Sequence, residues 1–166
     1  MSAERDFRKS LREELLRDGV NPYPHILSLG YVPVKDIVGS PKLGEVVATA
    51  GRVAGLRRHG KLVFADLIDD GYRIQLSINS GNVGSEKFEW FMKYVNLGDF
   101  INVRGELFYT QKGELTINVK EYQLIVKALR SPPVKWGHKI LDPEVRYRKR
   151  YLDLMMTPQV RKIFEV

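Results

Sequence analysis

The chain has 166 residues, with 27 Lys and Arg against 20 Asp and Glu, which gives a formal net charge of +7. The absence of cysteine excludes disulfide scaffolds, zinc–cysteine sites, iron–sulfur clusters and cysteine nucleophiles. A hydrophobic content of 43% is typical of a soluble globular protein, and the longest uncharged stretch, 19–34, is too short and too rich in proline to cross a bilayer.

The N-terminal segment has the pattern of a short amphipathic helix, from about Glu4 to Arg17, with Gly19 as its C-terminal cap. Its apolar face combines four residues: Phe7, Leu11, Leu15 and Leu16. The mixed charges of this segment argue against a signal or transit peptide. The segment 21–25 contains two prolines and is expected to be extended.

The middle of the chain predicts β-structure. Three turn signals, His59-Gly60, Asp70-Gly71 and Lys112-Gly113, lie between β-branched and aromatic residues. They divide the region into five strands, at about 46–57, 62–68, 72–79, 100–110 and 115–127. The first strand contains Gly51 and Gly55, which suit the bend that such a strand needs to close a small barrel.

A helix is predicted at about 85–95, between the third and fourth strands. It begins with Ser85 as N-cap and ends before Gly98, and its apolar stripe consists of Phe88, Phe91, Met92 and Val95. The resulting order β-β-β-α-β-β is the order of an OB-fold, so the predicted fold class is mainly β: a five-stranded barrel with an N-terminal helix and a helix between strands three and four. A five-stranded open sheet is the alternative.

The last part of the chain changes character. Asp142, Pro143 and Glu144 have the pattern of a helix N-terminus leading into the basic segment 146–154, and Thr157-Pro158 begins a further helix. The inner face of this last helix is assigned to Val160, Ile163 and Phe164. Because that apolar stripe is incomplete, we expect the sequence to continue into a further domain. The predicted organisation is 1–30 helix and extended segment, 31–130 barrel, and 131–166 linker and start of the next domain.

The Asp70-Gly71 turn fixes which side chains share a face of the sheet. A two-residue turn pairs Leu67 with Ile74, Ala65 with Leu76, and Val63 with Ile78, so this apolar face is the core. The opposite face then carries five side chains: Phe64, Asp66, Arg73, Gln75 and Ser77. If Arg57 pairs with Leu62 across the first hairpin, it lies on the face of Phe64 as well. A β-bulge in the glycine-rich strand would disturb this last step.

An OB-fold binds single strands on the face of strands two and three, between two hairpin loops. A base stacks on an aromatic ring such as that of Phe64, and Gln75 and Arg57 carry groups that hydrogen-bond to a base edge. Arg58 and Lys61 are candidates for phosphate contacts, and Glu114 in the last hairpin turn can accept from a base N–H. Were the register shifted by one residue, Phe64 would turn into the core.

Six segments of the chain resemble class II lysyl-tRNA synthetase, in order and over nearly the whole length: LLRDGVNPYPH at 15–25, AGRVAGLRRHGKLVFADLIDD at 50–70, RIQL at 73–76, GDFINVRGELFYTQKGELTINV at 98–119, LIVKALRSPPVK at 124–135 and RYRKRYLDLM at 146–155. The resemblance implies an OB-fold that binds the anticodon stem-loop of lysine tRNA. It implies that Phe64 stacks on the central uridine, that Gln75 and Arg57 hydrogen-bond to that base, and that Glu114 contacts an anticodon base.

The same resemblance implies a cytoplasmic protein that forms a homodimer at full length. Its catalytic domain, with the ATP and magnesium sites, belongs to a part of the family that this chain does not include, so neither a catalytic residue nor a cofactor is assigned to this chain. The basic segment 146–155 resembles the linker to that domain and either docks on it or touches tRNA.

Other kinds of chemistry find little support in the sequence. The three histidines, His25, His59 and His138, have no metal-ligand spacing, so no metal site is predicted. Gly39 and Gly44 have P-loop spacing, but Glu45-Val46 follows where a P-loop has Lys and Ser or Thr. The alternatives are a general single-stranded nucleic-acid-binding module, a module for dimerisation or partner docking, and a complete enzyme.

Overall fold

A computed structural model describes residues 3–133, 140 and 142–164 of the chain. The chain forms two compact units, Met1–Arg130 and Ser131–Val166. Twelve elements follow one another along it: α1 Ala3–Arg17, α2 Val34–Gly39, β1 Val46–His59, β2 Leu62–Asp69, β3 Tyr72–Asn79, α3 Ser80–Val83, α4 Ser85–Tyr94, β4 Phe100–Tyr109, β5 Leu115–Val126, α5 Pro143–Arg148, α6 Arg150–Met156 and α7 Pro158–Phe164.

The five strands of the first unit form a closed barrel in the order β1-β2-β3-β5-β4. All neighbours are antiparallel except β3 and β5, which pair in parallel at Gln75–Ser77 and Thr116–Asn118. The predicted five-stranded OB-fold barrel, with a helix before it and a helix between strands three and four, is therefore confirmed, and the open sheet is excluded.

Strand β1 closes the barrel because it pairs with two neighbouring strands, β4 and β2. Its first half, from Val46 to Arg52, pairs with β4, and its second half, up to His59, pairs with β2. Gly51 lies where the strand changes partner, and a Cβ there would come within 2.6 Å of the carbonyl oxygen of Ile68. The predicted need for small residues in this strand follows from that close approach.

The barrel interior holds the main core. Aliphatic side chains from every strand fill it, among them Val53, Leu67, Leu76, Val103 and Ile117. Helix α4 covers one end with Phe88 and Phe91. Its predicted N-cap Ser85 is wrong: Gly84, with φ +88°, separates α3 from α4, so that Ser85 is already the first helical residue.

Helix α1 packs on the barrel with a different face from the one predicted. Leu11 and Leu15 are buried as expected, but Phe7 is 57% exposed and Leu16 is exposed as well. Arg8, only 4% exposed, takes the place assigned to Phe7, because its guanidinium donates to the carbonyl oxygens of Leu97 at 2.8 Å and Ala128 at 3.3 Å.

A buried ion pair lies next to this contact. Lys127 Nζ approaches Asp99 Oδ2 at 2.6 Å, and both side chains are fully buried. The ammonium also donates to Asn96 Oδ1, and the carboxylate accepts from the backbone N–H groups of Asn96 and Ala128. Burial raises the pKa of Asp99 and lowers the pKa of Lys127. We refer to Asp99, Lys127 and Asn96 as the Asp99 cluster.

The second unit consists of three short helices. Asp142 caps α5, since its Oδ1 accepts from the N–H of Glu144 at 2.8 Å, as its position before Pro143 predicted. The basic segment is interrupted at Lys149 and forms α5 and α6 instead of one helix. Buried Asp153 on α6 accepts from Arg146, Arg150 and Thr157.

Helix α7 corrects another expectation. Ile163 and Phe164, predicted to face inward, are exposed, because the described residues of this unit provide no second layer over that side of the helix. His138 lies outside the described residues. In the part of the chain that the structure describes, none of the helices is long and apolar enough to span a bilayer.

Candidate nucleic-acid interface

The pairing of β2 with β3 follows the register that the Asp70-Gly71 turn predicted. Leu67 pairs with Ile74, Ala65 with Leu76, and Val63 with Ile78, and all six side chains are buried. Both turn residues have positive φ, 46° and 83°, as this kind of hairpin turn requires. The opposite face of the two strands therefore carries the alternate side chains.

Phe64 lies on that opposite face and not in the barrel interior. It pairs with Ser77 and is diagonal to Gln75, and its ring is half-buried. The edge of the ring approaches His59, with ring centroids 6.4 Å apart and planes at 66°. The register shift that would have placed Phe64 in the core is excluded.

A cleft of about 600 Å³ lies over this face. Its walls come from β1, β2 and β3, from the end of β4 and from the turn between β4 and β5: Arg57, His59, Phe64, Arg73, Gln75, Ser77, Phe108, Thr110, Gln111, Lys112 and Glu114. The cleft thus brings together the four residues that were predicted from the sequence to bind the anticodon: Arg57, Phe64, Gln75 and Glu114. The chemistry of the cleft is one aromatic platform surrounded by hydrogen-bonding and charged groups.

Arg57 reaches the cleft by a pairing other than the predicted one. It lies opposite Phe64, and not opposite Leu62, because the turn consists of Gly60-Lys61 instead of His59-Gly60. The difference is two residues, so the face is unchanged. A β-bulge does occur in β1, between Val53 and Gly55, but it precedes Arg57 and leaves the remaining register regular.

Ion pairs connect the charged residues of the cleft. Asp66 accepts from Arg57 Nη1 at 2.9 Å and from Arg73 Nη2 at 2.8 Å, and Arg73 Nη1 donates to Glu114 Oε1 at 2.7 Å. Burial lowers the pKa of Arg73, but the carboxylates of Asp66 and Glu114 outweigh it, so this pKa lies above its ordinary value. We refer to Arg57, Asp66, Arg73 and Glu114 as the Asp66 cluster.

Gln75 is the most buried polar group of the cleft, with 7% of its surface exposed. Its Oε1 accepts a long hydrogen bond, 3.4 Å, from Thr116 Oγ1 on the parallel strand β5. The amide lines the cleft on the face of Phe64, where it has both donor and acceptor chemistry for a bound base.

Neither of the two predicted phosphate contacts lines the cleft. Arg58 pairs with buried Val63 and lies on the other side of β1, where its guanidinium donates to the carbonyl oxygen of Met92 on α4 at 3.1 Å. Lys61 is exposed in the turn between β1 and β2, two residues after His59, which does line the cleft.

Sequence reasoning placed Asp66 and Arg73 on the polar face without assigning them a role. Opposite charges on one face of paired strands were the available signal for the Arg57–Asp66 pair. Phe108, a second aromatic residue in the cleft, was missed, because a two-residue Lys112-Gly113 turn would pair it with buried Ile117, whereas the longer observed turn pairs it with Thr116. Within residues 3–133, 140 and 142–164, no group of three or more His, Asp and Glu side chains is arranged to hold a metal ion.

A closed five-stranded barrel with a polar, aromatic-bearing cleft over strands two and three defines an OB-fold nucleic-acid-binding domain. Comparison with known proteins agrees, since residues 47–125 match the family described as OB-fold nucleic acid binding domain. Over most of its length the chain is similar to lysyl-tRNA synthetases and matches their N-terminal, anticodon-binding domain.

Relatives come from distant organisms. Lysine–tRNA ligase of Saccharolobus solfataricus is 42% identical, over 96% of this chain and 33% of the relative. Lysine–tRNA ligase 2 of Methanosarcina mazei is 41% identical over 90% of this chain and 30% of the relative, and the Aquifex aeolicus enzyme is 46% identical over 71% and 20%. The chain thus spans about a third or less of the length of these curated relatives.

Proposed function

We propose that this chain binds the anticodon stem-loop of a tRNA in the cleft over β2 and β3, and that the tRNA is lysine tRNA. The observation that carries the proposal is the Phe64 ring, half-buried on the polar face beside Gln75 and Arg57. A large aromatic residue there offers a stacking surface that a merely hydrated sheet does not need. Stacking of one base on such a ring contributes about 1–3 kcal/mol.

Stacking accepts any base, so selectivity must come from the groups around the ring. The Gln75 amide has a donor and an acceptor, and the Arg57 guanidinium has a fork of donors, both suited to the edge of a uracil. Glu114 has Oε1 bound to Arg73, which leaves Oε2 as an acceptor for a base N–H. This division of roles favours a specific anticodon site over a general single-strand groove.

Phosphate neutralisation is assigned mainly to Lys61. It is exposed in the turn that follows the cleft residue His59, whereas Arg58 is bound to the end of α4. Contacts of this kind add affinity without reading sequence and weaken as salt increases. Replacement of Lys61 by Gln should therefore lower affinity for all loops equally.

At full length, we propose that the protein attaches lysine to this tRNA with ATP and magnesium, as a cytoplasmic homodimer. The relatives are named lysine–tRNA ligases, and the motif resemblance of the sequence supports the same assignment. The ATP and magnesium sites are assigned to the part of the relatives that this chain does not span. Within this chain, the residues over β2 and β3 act on RNA by binding alone.

The decisive experiment titrates the chain with a fluorescent lysine-tRNA anticodon stem-loop and with a loop whose central base is changed. Phe64→Ala and Gln75→Ala should each weaken binding to the first loop, Phe64→Ala by about 1–3 kcal/mol. Arg58→Ala should have little effect and serves as the control. Equal losses for all three variants would reduce the cleft to an electrostatic surface, and equal affinity for any pyrimidine-rich oligonucleotide would indicate a general single-strand module.

A further inference from the structure

Asp66 does not line the cleft itself but places a negative charge against two arginines that do, Arg57 and Arg73, in a surface proposed for RNA, where an acid repels phosphates. Its side chain is only 14% exposed. One carboxylate oxygen accepts from Arg57 Nη1 at 2.9 Å, and the other accepts from Arg73 Nε at 3.0 Å and Nη2 at 2.8 Å. Both oxygens are thus used to hold arginines and not to face a ligand.

The backbone leaves room for this carboxylate. Asp66 pairs with Gly55 of β1, and a Cβ on Gly55 would lie 2.4 Å from Asp66 Oδ2. Any other residue at position 55 would push the carboxylate out of its place. The glycine and the β-bulge beside it therefore belong to the arrangement of the cleft as well as to the shape of the barrel.

The contacts continue to the far wall of the cleft. Arg73 reaches from Asp66 to Glu114 in the β4–β5 turn, 2.7 Å away. Arg57 and Glu114, two groups assigned to base recognition, come from different hairpins and are connected through Asp66 and Arg73. A fixed guanidinium fork fits one arrangement of acceptors, whereas a mobile one binds phosphate of any sequence equally well.

We infer that Asp66 is the positioning residue that gives this cleft its base selectivity, by holding the Arg57 guanidinium and, through Arg73, Glu114. The inference rests on the proposed function and adds to it the origin of discrimination. Asp66 itself touches no base. Its contribution is the orientation of groups that do.

Asp66→Asn tests this by the sign of its effect. If the carboxylate acted only through its charge, its removal would tighten binding to every loop. Positioning predicts the opposite for the matched loop: weaker binding, with the ratio of affinities for the matched and the base-changed loop reduced about tenfold. Glu121→Gln is the charge-matched control, because exposed Glu121 lies on β5 about 23 Å beyond Glu114 at the usual rise of a strand.

Gly55→Ala is a second variant that leaves the net charge unchanged. The added methyl group meets the end of a side chain and not backbone, so the barrel accommodates it by displacing the Asp66 carboxylate. We expect the same loss of selectivity as in Asp66→Asn, with cooperative unfolding retained. The Nη–H signals of Arg57 and the Nε–H signal of Arg73 in NMR spectra of the free variants should broaden or exchange faster than in the unmodified chain.

The outcomes separate the two proposals. If the unmodified chain distinguishes the two loops and both variants keep its affinity ratio, the positioning role of Asp66 is wrong while the anticodon site stands. If Asp66→Asn tightens binding to both loops, its role is charge alone. If the unmodified chain itself does not distinguish the loops, the proposed function fails and the inference falls with it.

Discussion

The Asp66 cluster and the Asp99 cluster are each built around one carboxylate, which accepts from two arginines in the first and from one lysine and two backbone N–H groups in the second, and their surroundings differ. Asp99 and Lys127 are fully buried, and they fasten the segment after α4 to the end of β5. In the Asp66 cluster the arginines remain 47% and 38% exposed in their side chains. Because the first cluster is buried, its role is to hold two segments of the fold together. The second cluster is partly exposed, so its arginines remain accessible to a ligand.

Loss of one partner should therefore cost far more stability in the Asp99 cluster. Lys127→Met leaves the Asp99 carboxylate buried without its counter-ion, and we expect the free energy of unfolding to fall by about 3–5 kcal/mol. Arg57→Met removes the corresponding cation from the Asp66 cluster and should cost no more than about 1 kcal/mol, because exposed pairs contribute little. Urea unfolding of both variants measures the difference, and equal costs would remove the distinction between the two clusters.

Arg8 connects the N-terminal helix α1 to the two segments that the Asp99 cluster holds together. Arg8→Ala removes hydrogen bonds from a charged donor to the carbonyl oxygens of Leu97 and Ala128, and should destabilise the fold by about 1.5–3 kcal/mol. Arg17→Ala, at an exposed site in the last turn of the same helix, is the control and should change stability by about 0.5 kcal/mol or less. Similar melting temperatures for the two variants would show that α1 is held by Leu11 and Leu15 alone.

The smallest effect concerns an exposed contact between α1 and α4. The hydrogen bond from Lys93 holds the pKa of Glu14 below its usual 4.5. The folded state therefore binds this proton less tightly than the unfolded state, so the contribution of the contact is complete above about pH 4.5 and is lost as the pH falls through the lowered pKa. NMR titration of the Glu14 carboxyl should give a pKa below 4.5, and this pKa should rise in the Lys93→Gln variant. The same pKa in the variant and the unmodified chain would show that the contact is absent in solution.

Much of the candidate site could be predicted because a hairpin register needs only local information. The Asp70-Gly71 turn determines which residues of β2 and β3 share a face, and side chains repeat every second residue. An error of one residue in the position of the first turn changed the pairing by two residues, from Leu62 to Phe64 as the partner of Arg57, without changing its face. Parity along a strand is thus a more robust prediction than exact pairing.

The parts that escaped prediction depend on residues remote in sequence. Apolar periodicity favoured Phe7 as a buried residue of α1, but the carbonyl oxygens that accept from Arg8 lie 89 and 120 residues further along the chain. The ion pair between Arg73 and Glu114 likewise exists only because β5 lies beside β3 in the closed barrel. Hydrophobic patterns describe a face, whereas the partner of a charged group is decided by tertiary structure.

The parallel pairing of β3 with β5 also implies an order of events during biosynthesis. The three-stranded meander from Val46 to Asn79 contains Phe64, Arg57 and Asp66, and its β1–β2 and β2–β3 pairings are local in sequence. Glu114 joins Arg73 across 41 residues of chain, and contacts of such long range form late in folding. We therefore expect a nascent polypeptide that has not yet produced β5 to lack the Glu114 contact, so that the proposed selectivity would be acquired in the step that closes the barrel.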